Sequence, residues 1–129
     1  MFPITLQNVL LVAVGGAMGA TARLLLVSWT HRQLGVSFPW GTLTVNLTGS
    51  LLAGFVFGFF VQRQGLEEAG QIFLLVGVLG AFTTFSAFSL DSLRLIESGA
   101  FGLTLVSISA NLFGCLCATW MAMQIARFI

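Results

Sequence analysis

Charge is what this chain has least of. Only 7% of its 129 residues are charged, against about a quarter in a typical soluble domain. With 57% hydrophobic residues and a mean hydropathy of +1.02, water is excluded as the main solvent. Lysine is absent: the five cations are Arg23, Arg32, Arg63, Arg94 and Arg127, set against Glu67, Glu68, Asp91 and Glu97, for a net charge of +1. So neutral a chain has no basic surface with which to hold nucleic acid. There is no nucleotide loop and no evident carboxylate relay, Asp91 being the only acid inside an apolar run, so neither an enzyme nor an energy-coupled pump is expected. Tyrosine is missing altogether. The two cysteines, Cys115 and Cys117, stand on different faces of one apolar segment with no metal-ligand spacing to His31, and are expected to be small packing residues. The opening residues, MFPITLQ, lack the positive region of a secretory signal. The apolar stretch behind them runs too long for a signal core and is expected to be retained as a helix.

What the chain does have is four apolar runs, at about 5–30, 40–61, 71–96 and 101–126. One spanning helix takes about 20 such residues, so four take roughly 80 and leave only short connections. The connections are HRQLGVSFP, with His31, Arg32, Gly35 and Pro39, then QRQGLEEAG, then ESGA. No run alternates apolar and polar as a barrel strand does. The fold class is therefore an all-α membrane protein: a single integral membrane domain over 1–129 with four transmembrane helices. Orientation follows the arginines, and they nearly tie. Arg63 and Arg127 fall on the N-terminal side, Arg32 and Arg94 on the other; Arg23 breaks the tie only outside the hydrocarbon, where the α-amino group offsets it. Insertion in both directions is expected. Four helices are too few to enclose an aqueous path, so an inverted second copy is expected to complete one, like an inverted repeat made from separate chains.

Polar residues inside the runs need a partner or a purpose. Arg23 follows Gly15 and Gly19 at four-residue spacing, which puts all three on one helix face. There the guanidinium either snorkels to the interface or draws an anion into a vestibule. In GTLTVNLTGS, Thr42, Asn46 and Ser50 stand one turn apart, and Gly54 and Gly58 continue the stripe. The small residues suit close helix packing. The Asn46 amide offers uncharged donors, and a helix tie and a pore donor fit it equally. The string VGVLGAFTTFSAFS predicts a third helix broken near its middle. Carbonyls freed there need a partner, which a cation on a dimer axis would provide for both chains. Phe85 and Phe88 are three apart. Ring edges are positive and can hold an anion, although in a chain with thirteen phenylalanines such a pair is ordinarily packing. Thr104, Ser107, Asn111, Gly114 and Ala118 form a further small and polar stripe, suited either to a track for a partly dehydrated anion or to hydrogen bonding between helices.

The early glycines with Arg23, the strings WGTLTVNLTGS and GAFTTFSAFS, and the chain length together resemble the Fluc fluoride channels, the small bacterial fluoride exporters. The resemblance covers the whole chain. It implies an antiparallel dual-topology homodimer with two pores in the bacterial inner membrane. Such a dimer passively exports fluoride and so relieves its toxicity, with a sodium ion held by backbone carbonyls at the dimer centre. It implies Asn46 as the pore amide, Phe85 and Phe88 as aromatic pore lining, and Gly80 and Thr83 as carbonyl donors to sodium. Arg23 matches the vestibule arginine, and Thr42 and Thr84 match hydroxyls of the polar region. Members often carry a tyrosine on the fourth helix; Ser107 holds that place here, with Asn111 and Cys115 where serines are expected. The partners implied are fluoride, a second copy and the lipid bilayer. The chemistry is coherent, because neutral amides, hydroxyls and ring edges can replace fluoride's water while fixed cations would hold it too tightly to leave. The alternative is a proton-coupled exporter resembling the small multidrug-resistance proteins, which use a carboxylate in the first helix. This chain has none there.

Overall fold

The computed structural model describes residues 2–61 and 65–129. Arg63, one of the arginines used to argue orientation, lies outside the described residues. Four helical spans are long and apolar enough to cross a membrane. Helix α1 covers Leu6–Leu34 and α2 covers Trp40–Val61. The third span is interrupted: α3 occupies 68–82, Thr83 and Thr84 are extended, and α4 restarts over Phe85–Glu97. Helix α5 covers Phe101–Phe128.

Local chemistry sets the ends. The Thr5 hydroxyl accepts from the Asn8 amide at 3.2 Å and caps α1, satisfying one of the donors a helix start leaves free. The helix then carries His31 and Arg32 beyond the apolar run and stops at Gly35, whose φ of 79° favours a residue without Cβ. Gly99, at φ 76°, ends α4 in a Schellman pair. Its amide donates to the Ile96 carbonyl at 2.9 Å and the Ala100 amide to that of Leu95 at 2.9 Å, so α4 and α5 follow each other through a tight reversal.

Apolar side chains gain little by leaving lipid for each other, so backbone approach at small residues decides which helices pair. Gly15 and Gly19 of α1 lie against the α3 backbone at Phe73, Gly77 and Val78; a Cβ on Gly15 would stand 2.7 Å from the Phe73 carbonyl oxygen. Gly54 and Gly58 of α2 meet α5 at Thr119, Met123 and Ala126 in the same way. Helix α2 therefore runs between α1 and α5, while Leu105 and Trp120 stay exposed on the outside, as residues facing acyl chains do. The helical ladder widens to π-type bonding at Phe57–Val61, Ile72–Leu79 and Ala110–Gly114. Such insertions re-aim the side chains that follow and concentrate at functional sites.

Gly19→Ala tests this packing. The new methyl would press on the Val78 carbonyl, and overpacking of this kind costs about 1–3 kcal/mol. Purified Gly19→Ala should melt lower in detergent, while Gly16→Ala, which meets nothing within 4 Å in the protomer, should not; equal melting of the two would put the α1–α3 contact elsewhere.

Candidate functional site at the break in the third span

Ending α3 at Phe82 and restarting at Phe85 leaves peptide groups without their helical partners. Side chains take them up. The Thr84 amide N–H donates to Asn46 Oδ1 at 2.9 Å, and Asn46 Nδ2 donates back to the Thr84 carbonyl at 3.1 Å. One amide side chain on α2 thus engages both faces of the residue at the break, as a neighbouring strand would. The Thr84 hydroxyl accepts from the Ala87 amide at 3.1 Å and caps α4. The Thr83 hydroxyl donates back to the Leu79 carbonyl at 3.0 Å and seals the end of α3. Asn46 reaches this far because α2 is bare one turn on: a Cβ on Gly49 would collide with the Thr83 methyl and touch the Phe82 ring at 3.2 Å.

The second donor of the Asn46 amide goes to α5, where Asn111 Oδ1 accepts it at 3.0 Å. Asn111 Nδ2 donates in turn to the Ser107 carbonyl at 3.0 Å. A three-helix relay results, from the break through Asn46 to Asn111. Around it lies an open groove of about 620 Å³, whose walls include Asn46, Gly80, Thr83, Thr84, Phe85, Phe88, Asn111 and Cys115 and carry no charged side chain. The Phe85 and Phe88 rings meet edge-on, centroids 5.3 Å apart with planes at 61°, and Phe85 is 79% exposed. A wider groove of about 960 Å³ adjoins at Thr84 and carries the charge: Arg23, Asp91 and Arg94, with His31 and Thr42 beside them. Within it the Thr42 hydroxyl donates to Asp91 Oδ2 at 2.6 Å, and an Arg94 nitrogen stands 4.0 Å from Asp91 Oδ1.

Most residues singled out in the sequence therefore meet along one path. Arg23, Thr42 and Thr84 line the charged groove; Asn46, Phe85, Phe88 and Asn111 line the uncharged one, and Thr84 belongs to both. Ser107 stands apart. It is 1% exposed, lines neither groove, and its hydroxyl has no hydrogen-bond partner among the described residues. Gly80 and Thr83 lie at the groove wall beside the break. Among the described residues no cluster of three His, Cys, Asp or Glu side chains occurs. Four partners were missed from sequence: the Thr84 backbone and Asn111 as partners of Asn46, Gly49 as the gap Asn46 reaches through, and Asp91 as the acceptor for Thr42. The first had a signal, since an amide one helix away is what a broken backbone in lipid requires.

Residues 10–123 match the family model described as "CrcB-like protein, Camphor Resistance (CrcB)". The chain belongs to this CrcB-like family. Its relatives include proteins named "Fluoride-specific ion channel FluC": one from Magnetococcus marinus, 46% identical over 92% of this chain and 96% of its own, and one from Agrobacterium fabrum, 43% identical over 93% and 96%. A third, from Geobacter metallireducens, is 38% identical over 95% and 98%. An ion-channel family of this kind is not enzymatic, and with its four spans the chain is a multi-pass membrane protein.

Asn46→Leu keeps the bulk and removes three hydrogen bonds. Side-chain bonds between helices in lipid average about 0.6 kcal/mol and reach about 1.7, so a loss of about 2 kcal/mol is expected. Hydrogen exchange at the Thr84 amide should accelerate selectively; unchanged protection there would show that Asn46 does not hold the break in this CrcB-like chain.

Proposed function

We propose that this chain is one protomer of a fluoride-selective channel, a homodimer of two oppositely inserted copies in the bacterial inner membrane that passively exports fluoride and so relieves its toxicity. The observation that carries the reading is the uncharged groove beside the break, in a chain whose relatives are named as fluoride-specific channels. Fluoride gives up its water only to donors that replace it, and leaves again only if no fixed cation holds it. Arg23 in the outer groove raises the local anion concentration. The hydroxyls of Thr42 and Thr84 stand at the passage inward, and the Asn46 amide and the edges of Phe85 and Phe88 take over beyond it. Cell voltage supplies the drive for an anion that entered as its neutral acid.

The need for a second copy follows from the groove being open. In hydrocarbon, exposed irregular backbone is tolerated only where protein or a water-filled cavity covers it, and a partner laid over the break supplies that cover. A sodium ion fits the same place. In an unbroken helix the Gly80 carbonyl would accept from the Thr84 amide and that of Thr83 from the Ala87 amide, but those amides donate to Asn46 Oδ1 and to the Thr84 hydroxyl. Two neutral carbonyl oxygens are thus left free of their helical donors beside an exposed glycine. One chain offers too few for a hard cation, and two copies about an axis offer four. When bound, the ion would supply a positive charge that satisfies these oxygens and joins the protomers.

Purified protein in liposomes should release fluoride and retain chloride, with no dependence on an imposed pH gradient; a proton-coupled exporter would require the gradient. Asn46→Asp should lower fluoride efflux by about a hundredfold or more, because a carboxylate facing the anion costs several kcal/mol at low effective dielectric. Phe85→Ile keeps bulk without the positive edge and should also impair flux, and unaltered efflux would make the ring packing only. Gly80→Val, with little in the protomer to hinder it, should abolish sodium dependence by crowding the facing copy; sodium-independent behaviour of the parent protein would remove the central cation.

A further inference from the structure

The hydrogen bonds of Asn46 contain a problem for any anion. Amide orientation follows from its partners: the Thr84 N–H can only meet an oxygen, which fixes Asn46 Oδ1 there at 2.9 Å. Both hydrogens on Nδ2 are then spent, one on the Thr84 carbonyl at 3.1 Å and one on Asn111 Oδ1 at 3.0 Å. No donor remains for fluoride. Something must let go, and the two acceptors differ. The Thr84 carbonyl is backbone, held by its own residue's reciprocal bond. Asn111 is a side chain, whose amide can turn without moving the backbone, in the π-type segment Ala110–Gly114, on the wall of the groove that Asn46 also lines.

We propose, resting on the reading of Asn46 as a pore amide, that Asn111 Oδ1 holds the anion's place on Asn46 and is displaced when an anion arrives. The arrangement provides for the displaced group. Ser107 lies one turn before Asn111, whose Nδ2 already donates to its carbonyl at 3.0 Å; it is 1% exposed and carries a hydroxyl with no partner among the described residues. Four other buried or half-buried hydroxyls in the spans return to the carbonyl four residues back, Thr30 to Leu26, Thr83 to Leu79, Ser92 to Phe88 and Thr104 to Ala100, while Thr42 and Thr119 donate across to other helices. Ser107 does neither. Its free O–H is the donor that Asn111 Oδ1 meets on leaving Asn46, while the Asn111 Nδ2 bond to the Ser107 carbonyl keeps the side chain anchored. Asn46 gives up a neutral acceptor for the anion, the orphan hydroxyl gains one, and the displaced Asn111 oxygen is not left unpaired. Asn111 is a positioning residue that sets how tightly the pore holds its ion.

The test is the fluoride dependence of efflux from liposomes. Without a competing acceptor the Asn46 N–H is already free. Asn111→Ala should therefore lower the fluoride concentration giving half-maximal efflux by about tenfold, the equivalent of about 1.4 kcal/mol, and lower the maximal rate as release slows. Asn111→Ser, too short to reach Asn46, should behave alike and serves if the alanine variant fails to fold. Ser107→Ala should shift half-saturation the other way, because the displaced oxygen then finds no donor. A purely structural Asn111 would change yield and maximal rate but not half-saturation. Parent vesicles that stay sealed to fluoride would refute the channel reading and this one with it. Conducting parent protein with unshifted half-saturation in both Asn111 variants would overturn the exchange alone. Failure of both variants to fold would also overturn it, by making the bond a structural requirement.

Discussion

A peptide group released from a helix inside hydrocarbon has no water to turn to, and in this chain the group so released at Thr84 is paired by the side chain of Asn46. Much of the surrounding architecture depends on that pairing. Gly49 must be bare for α2 to come within reach of the break. Gly54 and Gly58 must be bare for α5 to close on α2 from the other side and bring Asn111 to the same amide. The Thr84 hydroxyl must cap α4 for the chain to resume as a helix at once, which sets Phe85 and Phe88 at the start of that helix and at the groove wall. A bulky residue at any of these glycines would disturb the site through helix separation.

The distribution of charge follows from cost. A charged side chain at the centre of a span costs about 2.5–3.5 kcal/mol even on the mildest scale, whereas one interhelical hydrogen bond returns about 0.6. Charges are correspondingly gathered in the wider groove, where Asp91 has both the Thr42 hydroxyl and the Arg94 guanidinium near it. The inner groove is lined by uncharged side chains alone, with Asn46, Asn111, the threonines and the Phe85 and Phe88 rings set among aliphatic ones. Thr84 belongs to both, so the break in the helix also marks the change from charged to neutral surroundings.

Hydropathy made the four spans legible, and glycine spacing made the close-packed faces legible, because both properties are local to one helix. The break was legible for the same reason: glycines and paired threonines in the middle of an apolar run weaken the helix wherever it packs. What periodicity does not carry is the partner across the gap. Asn46 and Asn111 stood out separately as polar exceptions, yet nothing in either stripe says that they meet, since their contact depends on the relative rotation of α2 and α5. The π-type widening at Ala110–Gly114 alters that rotation within the stripe. Ser107 and Asn111 share a face in the sequence, but only Asn111 lines the groove while Ser107 is buried away from it. Ser107 thus lines neither groove, and the side chain touching Asn46 comes from the next turn.

The separation of Arg23 from Asn46 bears on throughput as well as on stability. A guanidinium about 4 Å from a bound anion contributes about 4 kcal/mol at an effective dielectric near 20, and each 1.4 kcal/mol of added affinity slows escape about tenfold when the on-rate is fixed. Placing that charge beside Asn46 would retard release roughly a thousandfold. Arg23 instead lines the outer groove, which Asn46 does not, and in the proposed channel it would raise local anion concentration there without holding the ion beside Asn46. The inner donors are individually weak and already paired among themselves. In the proposed channel an arriving ion would therefore gain only the difference between its own bonds and the ones it displaces, and a difference that small would leave it free to depart.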